Sequence, residues 1–430
     1  MSRTRYLLTL FTTGLAILLA GCGSNGSGSG STAPLSGLKK RVLISNLETG
    51  SLALVDGQKD LVNAKTASVG SPTKMLTASG MTVILDSAVN QISIYTNSME
   101  SITAVATLEG VAADIALSPD GLTAYAAVRN VGVVEVIRTS DGAIVGTVNV
   151  PSPSRLVEGP NGHKLLAFTD GPAGNHTFFV IDTFTNALQP SAGITDPSLN
   201  QPYIGVFDTS NTNDTAAFIL TCGSECGCDG TSCGTAAGVV RVDFSGTPAL
   251  TPVTGPANAF TANPVAGATV GLLNGSQLFI AGTLPKPLAG ACPATVPSCG
   301  SLQVIDTGSL TVTATVPITD GLHQRMAMTS SNRVYVGATN CTIGPNVSNQ
   351  VRGCLSIFNT GTSATVFPTE SSFRQDFNVT SFQPISNRNV IYVIQAGELD
   401  IFDINADAPA ASITPIDFIG NVIGVVQIDP

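Results

Sequence analysis

Apolar residues fall in short alternating runs along this chain and nowhere settle into a sustained helical spacing. Ile92-Ser93-Ile94-Tyr95 and Leu399-Asp400-Ile401-Phe402 show the two-residue period of half-buried strands. Such runs recur as a phrase. A first strand is expected at Val42 to Ser45, Val83 to Asp86, Thr123 to Ala127, Leu165 to Thr169, Ala216 to Thr221, Leu278 to Ala281, Val334 to Ala338 and Val390 to Ile394. Each has a partner: Ser51 to Asp56, Gln91 to Thr96, Val133 to Arg138, Phe178 to Asp182, Val239 to Asp243, Leu302 to Asp306, Leu355 to Asn359 and Leu399 to Asp403. A further strand follows each partner before a turn, and another precedes each first strand and ends in a Gly or Asn turn, as in Ile115 to Gly121 and Met326 to Asn332.

A four-strand unit repeated at this period cannot bury its faces alone, so neighbouring copies must stack. Asn421 to Ile428 reads as a preceding strand with no unit after it, and the unit at Arg41 lacks its preceding strand. The two fragments complete one unit if the chain closes on itself, which removes exposed sheet edges. The prediction is an all-β fold: a β-propeller of about eight four-stranded blades, with the C-terminal strand pairing into the first blade and the preceding strands lining a central tunnel. Seven blades is the alternative, if the two irregular units between Leu165 and Gly275 belong together. The Asp that recurs at the end of the partner strand (Asp56, Asp182, Asp243, Asp306, Asp403) is expected to start a turn by accepting backbone amide bonds, in preference to forming a metal set.

Composition agrees, with 44 glycines and 25 prolines in a chain only 11% charged, as many short buried strands and tight turns require. The formal charge is -10, and loss of a leader containing Arg3 and Arg5 would leave 17 basic against 29 acidic residues. Nucleic acid is thereby excluded as a natural partner, because phosphate binding needs concentrated basic surface. Trp is absent and aromatics are 5%, which argues against stacking platforms for sugars or bases. A monomer is expected.

Met1 to Arg5 carries two positive charges, Tyr6 to Ala20 is largely apolar, and small residues follow, the layout of an export signal too short for a comfortable membrane span. Leu19-Ala20-Gly21-Cys22 resembles the bacterial lipobox, which implies a diacylglycerol on Cys22 and cleavage before it. Residues 1–21 are then the signal peptide, 22–38 a Gly/Ser-rich tether and 39–430 the propeller. The tether would hold the body on the order of 20–25 Å from a bilayer. A lipid-anchored place in the bacterial cell envelope follows. Gly23 is not the Asp that retains some lipoproteins at the inner membrane, so the outer membrane is preferred.

Ser118-Pro119-Asp120-Gly121-Leu122-Thr123-Ala124-Tyr125 and Val334-Tyr335-Val336-Gly337-Ala338-Thr339-Asn340 resemble the YVTN-type, lactonase-like β-propeller repeats of exported prokaryotic proteins. The resemblance spans nearly all of Lys39 to Pro430. It implies one enzymatic option, hydrolysis of a sugar lactone or related ester at the tunnel mouth, with Asp114 or Asp376 as acid-base residue.

Eight cysteines remain after Cys22, an even number for an exported chain, and disulfides are expected. Cys341 and Cys354 would staple the loop joining a first strand to its partner, Cys292 and Cys299 occupy the equivalent loop one blade earlier, and Cys222, Cys226, Cys228 and Cys233 the one before that. The last four lack C-x2-C knuckles, so two disulfides of undetermined connectivity are preferred to a metal or iron–sulfur site. Three histidines, with no haem, zinc or nucleophile-elbow signature, give no catalytic set, cofactor or metal.

Aligning the starts of the tunnel strands places Lys74, Asp114, Arg155 and Arg325 at similar positions, with His323, Arg374 and Asp376 close in sequence. The group has two readings: a site for a small anionic ligand, or a rim ordered by Asp114 pairing with Lys74 or Arg155 from adjacent blades, which is preferred. A non-enzymatic module binding an envelope protein, polymer or small ligand through the loop-rich face is the leading functional reading. A lactonase-like hydrolase and a structural envelope component are the alternatives.

Overall fold

Each outer hairpin is set by local chemistry. At the end of the third strand in five blades an Asp carboxylate accepts a backbone N–H two or three residues on, at 2.7 to 2.9 Å: Asp56 from Gln58, Asp182 from Thr185, Asp243 from Ser245, Asp306 from Ser309 and Asp403 from Asn405. The recurring Asp is therefore a turn former, as expected. Four residues after the strand's last position the backbone turns left-handed, at Asp60, Glu100, Asn186, Leu310, Ser363, Asp407 and Gly142. This reversal lets the fourth strand return along the third.

The structure is a computed structural model of the chain. It describes residues 35–170, 176–222, 237–255, 265, 267–283, 300–342, 344–345, 351–368, 377–410, 416, 418 and 420–429. Among these, strands assemble into eight antiparallel blades and one short hairpin, Gly344–Pro345 with Val351–Arg352. The innermost strands of blades 2 to 8 are Pro72–Ala78, Ala112–Leu117, Pro153–Glu158, Pro202–Phe207, Val270–Asn274, Leu322–Met328 and Val379–Pro384. Blades 4 and 5, the irregular stretch, are separate sheets, so the count is eight.

Blade 1 is built from both ends of the chain. Val422–Gln427 pairs antiparallel with Arg41–Asn46, with Gln427 opposite Val42 and Val425 opposite Ile44. The innermost strands then neighbour one another around a complete circle, with Val422–Gln427 between Val379–Pro384 and Pro72–Ala78. Closure gives Arg41–Asn46 a partner on its inner side, so blade 1 has a full set of four strands.

The core lies in the eight seams between blades, one apolar cluster per seam. Strand alternation feeds two seams at once. Val42 and Ile44 pack toward Tyr392 and Ile394 of blade 8, whereas Leu43 packs with Met75 and Ile84 of blade 2. Both faces of the second strands are buried, which is why Ala216–Thr221 and Val390–Gln395 are apolar almost throughout. The chain ahead of Arg41 is already docked: Ser36 donates from its N–H and Oγ to Glu100 at 2.6 and 2.5 Å, and Leu38 packs against the seam of blades 1 and 2. No described helix is long and apolar enough to cross a membrane.

Candidate functional site at the tunnel mouth

Register fixes which features share an end of the ring. Each innermost strand starts opposite the end of its second strand, as Pro72 does opposite Asp86 and Leu322 opposite Thr339. The starts of the tunnel strands therefore sit at the end that carries the connections from second to third strands. In blade 8 that connection is only Ala396 and Gly397, whereas in blades 5, 6 and 7 it runs over 222–237, 284–299 and 340–354. The strand ends that bound these three connections and the charged tunnel-strand starts thus share one end.

In seven of the eight blades the innermost strand opens with a β-bulge, in which one residue is passed over by the ladder: Thr73, Ala113, Ser154, Tyr203, Gln324, Thr380 and Ile423. The residue after each bulge is Lys74, Asp114, Arg155, Ile204, Arg325, Ser381 and Gly424. Lys74, Asp114, Arg155 and Arg325 are thus structurally equivalent. Bulges re-aim side chains, and here they aim them across the seam at the next blade. Lys74 Nζ donates to Asp114 Oδ1 at 2.5 Å and to the Ile115 carbonyl at 3.0 Å. Asp114 Oδ2 accepts the Leu156 N–H at 2.9 Å. Arg155 lies 3.6 Å above the Tyr203 ring. Ser381 Oγ accepts the Val425 N–H at 3.2 Å. Arg325 Nε donates to the Thr380 carbonyl at 2.7 Å. Lys74 and Asp114 thus pair across the seam of blades 2 and 3, and both oxygens of the Asp114 carboxylate are engaged.

Arg155 also pairs with Asp170 at 3.1 Å, where Arg129 joins at 3.4 Å. Arg325 differs. Its partners are the carbonyls of Thr380 and Gln324, and among the described residues it pairs with no carboxylate. Burial lowers its pKa from the usual guanidinium value, with Asp114 and Tyr203 acting in the opposite sense from a distance. Two adjoining cavities of about 190 and 250 Å³ open beside it and share Thr73, Arg325, Thr380 and Ile423. Lys74 lines the larger. Neither cavity has an Asp or Glu on its wall among the described residues.

His323 does not join this group. It is fully buried, with Nε2 2.8 Å from the Thr319 carbonyl oxygen and Nδ1 3.3 Å from Thr283 Oγ1. Those contacts face blade 6, whereas Arg325 faces blade 8, because the bulge at Gln324 reverses the side-chain alternation between them. Burial pushes its pKa down to about 4, partly offset by the Thr319 carbonyl and Asp320. Arg374 and Asp376 lie outside the described residues, as do Cys22, Cys226, Cys228, Cys233, Cys292 and Cys299.

Cys341 and Cys354 are disulfide-bonded, Sγ to Sγ at 2.03 Å, and close the blade 7 loop as expected. Cys222 is also disulfide-bonded, with its partner outside the described residues. A disulfide sulfur is not a thiolate ligand, so the four-thiolate metal reading of that loop lacks one member. Among the described residues no three His, Cys, Asp or Glu side chains gather as a metal set.

No protein-family model matches the sequence, and no curated protein matches it. Solved structures do. A dihydro-heme d1 dehydrogenase NirN in complex with DHE shares 10% identity at a TM-score of 0.62, over 90% of this chain and 75% of that one. The computationally designed Ika8 protein gives 12% and 0.54 over 83% and 92%, and a functionally unknown protein from Desulfotomaculum acetoxidans DSM 771 gives 11% and 0.50 over 90% and 99%. At these identities the likeness is one of fold: this chain is an eight-bladed β-propeller.

Proposed function

We propose that the protein is a non-enzymatic binding module, a monomer held to the bacterial cell envelope by a lipid on Cys22, that engages its partner through the loop-bearing end of the ring. The observation that carries this reading is that the strand ends bounding the long connections of blades 5, 6 and 7 lie at the same end of the ring as a tunnel mouth whose Arg325 pairs with no carboxylate among the described residues. Rigid blades presenting variable loops are a common way to build a recognition surface, although a fold alone does not assign a function. Hydrolysis at Asp114 has less support, since a general base must be free to take a proton and both of its oxygens are engaged.

Two experiments test the parts separately. The anchor predicts that fatty-acid label enters the full-length chain and that Cys22→Ser abolishes labelling and membrane fractionation; labelling that survives the substitution overturns it. The binding face predicts that the unlipidated mature chain captures an envelope component. Trimming the loop between Cys222 and Cys233 should abolish that capture in a protein that still unfolds cooperatively. Capture indifferent to the loop contradicts the assignment of the face.

A further inference from the structure

We propose that the paired cavities beside Arg325 form a site for a small organic carboxylate with a compact apolar body. The inference deepens the reading that this end of the ring is the binding end. The polar half comes from Arg325, whose fixed fork of donors matches a carboxylate. Its contacts among the described residues are with carbonyl oxygens, and none of them is with a carboxylate. Thr380 contributes to the wall of both cavities, and its hydroxyl is buried with no hydrogen-bond partner among the described residues.

The apolar half is the rest of the larger cavity, where Met75, Leu76, Met326, Phe382 and Val426 contribute to the wall. A wall with cations and, among the described residues, no carboxylate selects against cations, and its apolar share selects against bare inorganic anions, which would gain nothing there to offset their lost hydration. At about 190 and 250 Å³ the cavities suit a molecule of the size of benzoate or a short-chain fatty acid.

The test is titration calorimetry of the intact mature protein with benzoate and hexanoate, against benzyl alcohol, hexanol and inorganic phosphate. The carboxylates are expected to bind at least about tenfold more tightly than the alcohols, the difference that one charge-assisted pair provides. Phosphate is expected to bind more weakly than either carboxylate. Arg325→Met should remove the preference for carboxylate over alcohol, and Arg325→Lys should retain part of it. The wild-type comparison needs no variant to fold. Equal binding of acid and alcohol, tighter binding of phosphate, or an unchanged preference in a folded Arg325→Met protein overturns the inference. If carboxylates fail while loop-dependent capture persists, this site is wrong and the binding face stands. If neither is seen, both fall.

Discussion

The carboxylate of Asp429 lies 2.5 Å from the guanidinium of Arg41, which joins the last described residue of the chain to the start of the first strand. The same guanidinium donates to the Asn97 carbonyl at 2.7 Å and to Glu100 at 3.3 Å, so one side chain ties both ends of the ring to blade 2. Asp429→Asn should lower stability by about 1–2 kcal/mol, as expected for a charged hydrogen bond weakened to a neutral one. Arg41→Ala should cost more, about 2–4 kcal/mol, because Glu100 is only 2% exposed and loses its nearby cation. Urea unfolding of the two variants checks the order.

Ser363 holds a left-handed backbone at φ 54° in the outer turn of blade 7 and is exposed. Glycine adopts that conformation without the Cβ clash. Ser363→Gly should therefore raise stability by about 0.5–1 kcal/mol, measured as a shift in urea midpoint at constant slope.

Two buried groups give opposite pH dependences. Burial, then Asp214 and Asp120, raise the Glu158 carboxyl to about 8, and neither of its oxygens has a partner among the described residues. The native state holds this proton more tightly than the unfolded chain does, so its contribution is full below about pH 4.5 and is lost as pH rises toward 8. Glu158→Gln should stabilise the protein at pH 8, by an amount on the order of 1–3 kcal/mol, and leave it unchanged at pH 4.

His323 works in the other direction. Its folded pKa of about 4 lies below the ordinary value of 6.5, so stability is full above pH 6.5 and declines as pH falls toward 4. Glu158→Gln removes the alkaline decline and should leave the acid decline in place. Unfolding midpoints for both proteins from pH 4 to 8 separate the two.

Lys74→Met should loosen the seam between blades 2 and 3 by about 1–2 kcal/mol. It removes the Nζ contacts to Asp114 and Ile115 while the Leu156 N–H still holds Asp114 Oδ2. Thermal unfolding reads the loss.

Strand alternation and the incomplete units at the two ends make the closed ring legible in the sequence, since Val422–Gln427 could complete only blade 1. The turn-forming Asp residues were legible for the same local reason. The alignment of Lys74, Asp114, Arg155 and Arg325 was also readable, but their directions were not. His323 and Arg325 are two positions apart, and a regular strand would place both on one face; the bulge at Gln324 separates them and has no compositional mark. The isolation of Arg325 from any described carboxylate is a property of three-dimensional neighbours, and no spacing along the chain encodes it. Ring closure also brings the wall of the cavities together, from blades 7, 8, 1 and 2.

Hydrogen exchange of the protein, resolved to peptides, tests the closed ring most directly. Amides of Val422–Gln427 and of Arg41–Asn46 should exchange together in the slowest class, at the free energy of global unfolding, because each strand completes the other's ladder. Rapid exchange across Val422–Gln427 while Arg41–Asn46 stays protected would contradict the ring.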